Sequence, residues 1–309
     1  MQIADIIKGM RAAYASGQNA MEWCRTRCRS DAPDESSNRI LATLVAYDLQ
    51  AGSYVAAARQ DTRKNDCWCR QLAGLLDKVC VPGDSLLEVG VGEATTLAGV
   101  LREMSSKPLQ AFGFDVSWSR CAEAKSWLQE NCQSARIFVG DLMNIPLMDC
   151  SVDVVYSSHS IEPNGGREEE ALRECLRISR KAVVLVEPLY ELASADAQRR
   201  MRDHGYVRGL LAAAKRLNAE VQDYRLLEFS PNPLNPSGVL CLLKKPADAP
   251  LKVSTSGPRI AWRCPVTGES LEDRGGYYSA SAVGLVYPVL EGIPLLRAEH
   301  SVVASKLSG

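Results

Sequence analysis

Residues 85–97 read SLLEVGVGEATTL, a short apolar run followed by a glycine turn and the start of an amphipathic pattern. The run predicts a buried strand that ends near Glu88, and a helix that begins near Ala94. Gly90 and Gly92 let the turn adopt backbone torsions closed to other residues and approach a ligand closely, while the helix N-terminus offers free amide groups. Such a turn suits a ligand carboxylate, although it also serves nucleotide phosphates or a plain strand-to-helix connection.

The same alternation of apolar runs and amphipathic windows continues through the middle of the chain, which is the pattern of βαβ units. Two later runs are joined only by the short PNPLNP and should therefore pair antiparallel. We predict an α/β, Rossmann-like, seven-stranded, mostly parallel sheet with an antiparallel last strand. The predicted strands are SLLEV (85–89), QAFGFD (110–115), ARIFVGD (135–141), VDVVYS (152–157), AVVLVE (182–187), YRLLEFS (224–230) and SGVLCLLKK (237–245).

Two further regions flank this sheet. Residues 1–80 carry apolar stripes at helical spacing, which predict a helical N-terminal extension. The stretch KKPADAPLKVSTSGP has the composition of a linker, so we place a boundary near residue 248. The expected domains are therefore a helical cap over 1–80, the sheet domain over 81–247, and a small β-rich domain over 258–309. In the last domain Pro288 and Pro294 predict turns, and its end predicts a helical window.

The composition indicates which classes of partner the protein would attract by charge. The 309 residues include 36 basic and 37 acidic side chains, so the net charge of -1 gives no overall attraction to nucleic acid or to an anionic membrane. The N-terminus lacks the continuous apolar region of a signal peptide or membrane span. Eleven cysteines, an odd number without a secretion signal, favour reduced thiols and a cytoplasmic protein. A homodimer is compatible with all of this.

Three more features accompany the turn: Asp115 ends the second strand, Gly140 and Asp141 end the third, and an exposed loop follows the fourth. In this order they resemble the class I methyltransferases that use S-adenosyl-L-methionine, with the E/D-x-G-x-G motif at Glu88, Gly90 and Gly92. The resemblance covers residues 80–245. It implies that the cofactor is S-adenosyl-L-methionine and that it contacts these residues: Tyr54, Glu88, Gly90, Gly92, Asp115, Val116, Asp141, Leu142 and Ser157.

The resemblance also implies individual roles. Asp115 with Val116 would hold the ribose, Asp141 with Leu142 would read the adenine, and the backbone at 157–159 would flank the sulfonium. The segment AYDLQAGSY (46–54) looks like the tyrosine-bearing lid of these enzymes, with Tyr47, Asp48 and Tyr54, or is a plain helix end with core tyrosines. Ala94 stands where the family often has a third glycine. Glu93 in the turn would repel a pyrophosphate, which argues against a dinucleotide cofactor.

Acceptor groups are expected at the carboxyl edge of the sheet, where ligands bind in such folds. His159 follows the fourth strand and is the candidate general base, and Glu162 shares its loop. His204 is either a helix C-terminal cap or a third catalytic candidate beside Tyr206 and Arg208. Glu187 ends the fifth strand and is either a further carboxylate at this edge or structural.

The C-terminal segment, through its CPVT and YPVLEGIPLL motifs, resembles the small zinc-ribbon-like domain that activates certain tRNA and protein methyltransferases. Thr267 replaces the second cysteine of the family's CPxC motif, and no CxxC follows. We expect a module without metal that docks on the catalytic domain or mediates oligomerisation. Neither Cys24 with Cys28 nor Cys67 with Cys69 has the spacing of a zinc knuckle, so no metal is expected there either.

Three functions remain open at this point. The first is methyl transfer to an oxygen or nitrogen of a small-molecule acceptor such as a sugar or glycan precursor. The second is an RNA or protein methyltransferase with a built-in activator-like domain; the loop reads SSHS instead of the NPPY-type tetrapeptide of many such enzymes, and nucleic acid is not the expected partner. The third is a non-catalytic, methyltransferase-like binding scaffold.

Overall fold

The structure is a computed structural model that describes residues 3–27, 35–244 and 260–306. The predicted boundary near residue 248, the start of the predicted third domain at 258, and Cys28 lie outside the described residues. Within them, the predicted fold class is confirmed, because one large sheet with helices precedes a small β-rich unit.

Seven strands form the large sheet. In the order β3-β2-β1-β4-β5-β7-β6, all neighbours are parallel except that β7 runs antiparallel to both β5 and β6. The parallel strands are apolar runs because both of their faces are buried. Their bounds are β1 Ser85–Val89, β2 Gln110–Asp115, β3 Arg136–Val139, β4 Val152–Ser158, β5 Ser179–Pro188, β6 Glu220–Leu226 and β7 Ser237–Leu243.

The predicted position of the sixth strand was wrong by several residues. Strand β6 ends at Leu226, whereas we expected it to cover 224–230. The chain leaves the sheet there because the Phe229 backbone pairs with a side chain: its N–H donates to Gln71 Oε1 at 3.0 Å, and its carbonyl accepts from Gln71 Nε2 at 3.0 Å. At Phe229 these two bonds take the place of backbone pairing with β7.

Helices cover both faces of the sheet and build the N-terminal extension. Leu72 and Leu97 are fully buried on the sheet face that carries Leu86, and Leu172 is buried on the opposite face, which carries Leu87. Leu86 and Leu87 point to opposite faces because successive side chains of a strand alternate. The helices are α1 Ile3–Ala15, α2 Ala20–Arg27, α3 Glu35–Leu49, α4 Ser53–Gln60, α5 Thr62–Leu76, α6 Thr95–Glu103, α7 Trp118–Glu130, α8 Glu168–Ile178, α9 Ala195–Asp203 and α10 Leu210–Arg216, with a 3-10 turn at Tyr190–Leu192.

Residues 189–209 form an insertion between β5 and α10, over the carboxyl edge of the sheet. The sequence SADAQRRMRDHGYVRG predicts that a helix starts near Tyr206, but α10 begins at Leu210. The Val207 N–H donates to the Glu162 carbonyl at 2.9 Å, and Gly209 has φ +83° immediately before the helix. The segment between α9 and α10 is therefore hydrogen-bonded to the loop after β4 and does not continue the helix.

The C-terminal unit is a small antiparallel sheet with strands β8 Glu272–Asp273, β9 Tyr277–Ala280, β10 Leu285–Leu290, β11 Ile293–Pro294 and β12 Val302–Val303. The turns predicted at Pro288 and Pro294 were wrong, since both prolines lie within strands. Pro288 fits because its carbonyl, which accepts from Leu295 N at 3.0 Å, makes the pairing and no N–H is needed. The expected terminal helix is a single 3-10 turn at Ala298–His300.

This unit docks on the edge strand β3. Leu295 forms a parallel bridge with Val139, and the Leu296 N–H donates to the Val139 carbonyl at 2.9 Å. Trp262 meets Phe138 edge to face at 5.0 Å, and the Arg136 guanidinium lies 5.0 Å from the Trp262 ring centroid. The contact thus combines strand pairing with aromatic packing.

Candidate functional site

The glycine turn after β1 has the torsions that the sequence required. Gly90 has φ +65° and Gly92 has φ +53°, while Ala94 also lies in the left-handed region at φ +56°. A Cβ on Gly90 would lie 2.2 Å from the Cβ of Ser160. Ser160 itself donates from Oγ to the Val89 carbonyl at 2.7 Å, so the loop after β4 lies directly against the turn.

Asp115 lies at the end of β2 and contacts the same turn. Its Oδ2 accepts from the Gly92 N–H at 3.1 Å, and its Oδ1 accepts from the Ser117 N–H at 2.9 Å. Burial raises the pKa of this carboxyl, and these backbone bonds lower it. A carboxylate has about four acceptor positions, so Asp115 keeps lone pairs free for ligand hydroxyls beside these backbone bonds, which fits a ribose.

Glu88 lies beneath the turn, fully buried on the sheet face covered by α5. Its Oε2 accepts from the Tyr156 hydroxyl at 2.7 Å. Burial raises the pKa of Glu88 to about 8, so the carboxyl holds a proton at neutral pH. Glu88 is therefore a buried hydrogen-bonding support under the turn.

The remaining predicted cofactor residues lie along the same edge. Asp141 Oδ1 accepts from the Met143 N–H at 2.9 Å, which makes a tight turn after β3 with Leu142 inside it. Val116 is partly buried after β2. Ser157 is fully buried near the end of β4.

Glu93 has a role that the sequence did not reveal. Its carboxylate is fully buried and accepts from the Gly52 N–H at 3.0 Å and from the Val55 N–H at 2.7 Å. These are free amides at the N-terminus of α4, which has no side-chain cap of its own. Glu93 thus joins the glycine turn to the helix that carries Tyr54, whose ring lies 3.5 Å from a Cβ placed on Gly92.

Arg120 of α7 is a second residue that sequence reasoning missed. Its buried guanidinium lies 4.8 Å from the ring centroid of Tyr47 and 4.5 Å from that of Tyr54. Its Nε donates to the Tyr47 carbonyl at 3.2 Å. The charge of Arg120 also lowers the pKa of Asp115 in opposition to burial. Tyr47 and Tyr54 are therefore packed against a cation beside the turn.

His159 occupies the loop after β4 with φ +55° and has a partner on each ring nitrogen. Nδ1 lies 2.8 Å from Glu162 Oε2, and Nε2 lies 2.7 Å from Ser237 Oγ. Burial lowers the pKa of His159, but the hydrogen bond and charge of Glu162 raise it, with the net value above normal. The structure therefore brings together His159 and Glu162, as the sequence suggested, and adds Ser237.

Aromatic and amide side chains surround this pair. The Trp68 ring centroid lies 5.5 Å from that of His159 and 6.5 Å from that of Phe229. Trp68 Nε1 donates to Ser158 Oγ at 3.2 Å, and Asn235 Nδ2 donates to Glu162 Oε2 at 3.1 Å. These residues come from α5 and from the β6–β7 connection, and no sequence motif marks them.

Two other candidates have structural partners. Glu187 accepts from the N–H groups of Ser160, Ile161 and Glu162 at 3.0 to 3.1 Å, and burial raises its pKa to about 7. It therefore holds the loop that carries His159. His204 is exposed at the end of α9, and its Nδ1 lies 2.8 Å from the Arg200 carbonyl, the geometry of a helix cap.

The described residues offer neither a metal site nor a membrane span. No group of three or more His, Cys, Asp or Glu side chains there has a metal-binding arrangement. Cys264 Sγ instead accepts from the Thr267 N–H at 3.4 Å and lies 3.3 Å from the Tyr287 hydroxyl. No helix in this part of the chain is both long and apolar enough to cross a bilayer.

Comparison with known proteins gives one family match. Residues 86–182 match the family model described as a methyltransferase domain. No curated protein matches the chain.

Several solved structures are similar in overall fold. A complex between the Haloferax volcanii Trm112 methyltransferase activator and a methyltransferase matches with 16% identity and a TM-score of 0.49, over 64% of this chain and 96% of that one. An S-adenosylmethionine-dependent methyltransferase from Aquifex aeolicus matches at 14% identity, with a TM-score of 0.43 over 56% and 89%. Magnesium protoporphyrin IX methyltransferase from Synechocystis, with bound S-adenosylhomocysteine, matches at 11% identity, with a TM-score of 0.43 over 72% and 93%.

Proposed function

We propose that the chain uses S-adenosylmethionine to methylate an oxygen or nitrogen of a small-molecule acceptor, with His159 as the general base; the match of residues 86–182 to a methyltransferase domain supports this. One observation carries the proposal. His159 is paired with Glu162 at 2.8 Å, on a loop that Ser160 bonds directly to the cofactor turn. A base oriented by a carboxylate beside the cofactor is the arrangement that proton removal from an acceptor requires.

The cofactor half of the site fits S-adenosylmethionine, which supplies an electrophilic methyl group on a sulfonium when bound. The turn at Gly90 and Gly92 and the free amides of α6 would hold its carboxylate. Asp115 would accept hydrogen bonds from the ribose hydroxyls with the lone pairs left free by its backbone contacts. Asp141 with Leu142 would flank the adenine.

His159 would handle the proton of the acceptor. In its neutral form, Nδ1–H donates to Glu162, and Nε2 accepts the Ser237 hydroxyl at 2.7 Å. An acceptor hydroxyl or amine that takes the place of Ser237 would give its proton to Nε2 as the methyl group is transferred. Glu162 then stabilises the imidazolium. General base catalysis of this kind contributes roughly 10²- to 10⁴-fold.

Two segments cover the acceptor side of the proposed site. Because they would restrict access, they favour a compact acceptor over a polymer. The insertion 189–209 is bonded to the catalytic loop through Val207 and through Gly165, whose N–H donates to the Gly205 carbonyl at 3.2 Å. The loop 227–236 is fixed by Gln71. The aromatic rings of Trp68 and Phe229 lie near His159 and Ser158, and such a mixture of aromatic and polar groups suits a sugar-like ligand.

The test is a transfer assay with radiolabelled S-adenosylmethionine and a fractionated cell extract. We expect label in the small-molecule fraction, and a rate lowered about 100-fold by His159→Gln. Affinity for S-adenosylhomocysteine, measured by calorimetry, should be unchanged in this variant. His204→Gln is the matched control and should retain the full rate, because its ring only caps α9. Label confined to RNA or protein would overturn the proposal.

A further inference from the structure

Glu187, at the end of β5, is a fully buried carboxylate that binds three successive backbone amides of the loop after β4. Its Oε1 accepts from the N–H groups of Ser160 and Ile161, both at 3.1 Å, and its Oε2 accepts from the N–H group of Glu162 at 3.0 Å. A buried N–H group without an acceptor is costly, so the conformation of residues 160–162 depends on this carboxylate.

Two further hydrogen bonds fix the same loop. The His159 N–H donates to the Val186 carbonyl at 2.9 Å, and the Ser160 hydroxyl donates to the Val89 carbonyl at 2.7 Å. His159 itself has φ +55°, in the left-handed region that residues other than glycine rarely adopt. Such a conformation persists only where the surrounding contacts hold it. The bonds to Glu187 therefore help to set the direction in which the imidazole points.

Glu187 also acts on His159 through its charge. Burial lowers the pKa of His159, the hydrogen bond and charge of Glu162 raise it, and the charge of Glu187 raises it further. The carboxylate of Glu187 is fully buried beneath the loop, so it affects the imidazole without being exposed to a ligand. Geometry and charge thus connect Glu187 to the same residue.

The other described neighbours of the imidazole carry no charge at neutral pH. Helix α5 presents Trp68, and strand β7 presents Ser237. Tyr47 of α3 and Tyr206, which follows α9, lie near enough to Glu162 for its charge to act on them. Burial first, and then this charge, raise the pKa of both tyrosines, so both stay neutral. Two carboxylates therefore remain to stabilise the imidazolium.

We propose that Glu187 is a positioning residue for the methyl transfer, which acts through His159 by fixing the loop that directs the imidazole and by placing a second negative charge near the imidazolium. This inference rests on the proposed function. An amide at this position has one accepting oxygen instead of two. Glu187→Gln therefore sets an NH₂ group against an N–H donor of the loop and also removes the charge.

The first test measures the titration of His159 in the full-length protein saturated with S-adenosylhomocysteine. The chain has 3 histidines, so their imidazole signals can be followed by NMR, and His159→Gln assigns the signal. We expect the pKa of His159 to lie above its ordinary value in the wild type and to fall by about half a pH unit or more in Glu187→Gln. Glu93→Gln, which alters a buried carboxylate bound to amides of α4, should leave this titration unchanged.

The second test is the rate of methyl transfer in the radiolabel assay. At about pH 8 the Glu187 carboxyl, whose pKa burial raises to about 7, is charged in the wild type. Glu187→Gln should lower the rate about 10- to 100-fold and shift the acidic limb of the pH–rate profile to lower pH. Glu187→Asp keeps the charge on a shorter side chain. Its rate should fall, while the titration of His159 stays close to that of the wild type.

An unchanged titration of His159 in Glu187→Gln would overturn the inference. So would a lowered rate with the acidic limb in place, because a merely structural loss does not alter the protonation of His159. Undiminished affinity for S-adenosylhomocysteine would show that Glu187→Gln is folded. If it is not, Glu187→Asp provides the test, and a wild-type rate in that variant would contradict the inference. Absence of transfer by the wild type would refute the proposed function, whereas the titration of His159 reports on Glu187 alone.

Discussion

The cofactor half and the acceptor half of the site are built in different ways. The cofactor half consists mainly of residues close in sequence, such as 88–94, and of backbone groups at the ends of adjacent strands. The acceptor half is assembled from side chains of distant segments: Trp68 of α5, His159 after β4, and Ser237 at the start of β7. One half is thus set by a local turn, whereas the other exists only once the whole sheet and its covering loops have folded.

Gly92→Val should have the largest effect, because it breaks the cofactor half alone. The residue has φ +53°, and added side-chain atoms would enter the space beside the Tyr54 ring. We expect affinity for S-adenosylhomocysteine to fall about 100-fold or more, measured by calorimetry. Gly74→Val is the control, since a Cβ there meets nothing within 4 Å. Unchanged binding by Gly92→Val would place the cofactor elsewhere.

Glu162→Gln should break the acceptor half and leave the cofactor half intact. The imidazolium of His159 would lose its counter-charge, so we expect the rate of methyl transfer to fall about 10- to 100-fold. Glu162 raises the pKa of His159, and the base acts in its neutral form. Removing the charge should therefore shift the acidic limb of the pH–rate profile to lower pH. Glu228→Gln, an exposed carboxylate, serves as control; an acidic limb that stays in place would exclude His159 as the base.

Glu93→Gln should have the smallest effect, because Glu93 does not itself face the cofactor but links the glycine turn to helix α4, which carries Tyr54. An amide cannot accept both N–H groups of α4 and carries no charge to favour the helix N-terminus. We expect affinity for S-adenosylhomocysteine to fall about 3- to 10-fold. The double variant Glu93→Gln, Tyr54→Ala tests whether Glu93 acts on cofactor affinity by positioning Tyr54. If the losses of affinity in the two single variants simply add in the double variant, Glu93 does not act through Tyr54.

Much of the fold was predictable because the strands of a parallel sheet are apolar on both faces. The predicted bounds of β1 and β2 match the structure, and so does the antiparallel arrangement of β6 and β7. The end of β6 was not predictable, because it depends on Gln71, which lies 158 residues from Phe229 in the sequence. A single long-range contact there overrides a run of strand-forming residues.

The candidate site likewise divides into residues that the local sequence marks and residues that long-range contacts bring together. The turn, Asp115 and Asp141 were marked by their order along the strands, and the structure places them at one edge. Glu93 was misread as a charge that faces a ligand, because its partners on α4 are 38 and 41 residues away. Ser237 is 78 residues from His159, and neither its residue type nor its neighbours signal a contact with a histidine. Such pairs become visible only after folding.

The pairing of Leu295 and Leu296, just after β11, with the end of β3 has a consequence for how the protein behaves on dilution. The docking is intramolecular, so its strength depends on an effective concentration set by the connecting chain and not on the amount of protein present. The two units therefore remain in a one-to-one ratio at any expression level. The same pairing also covers the end of an edge strand, which would otherwise offer unpaired backbone groups to other chains.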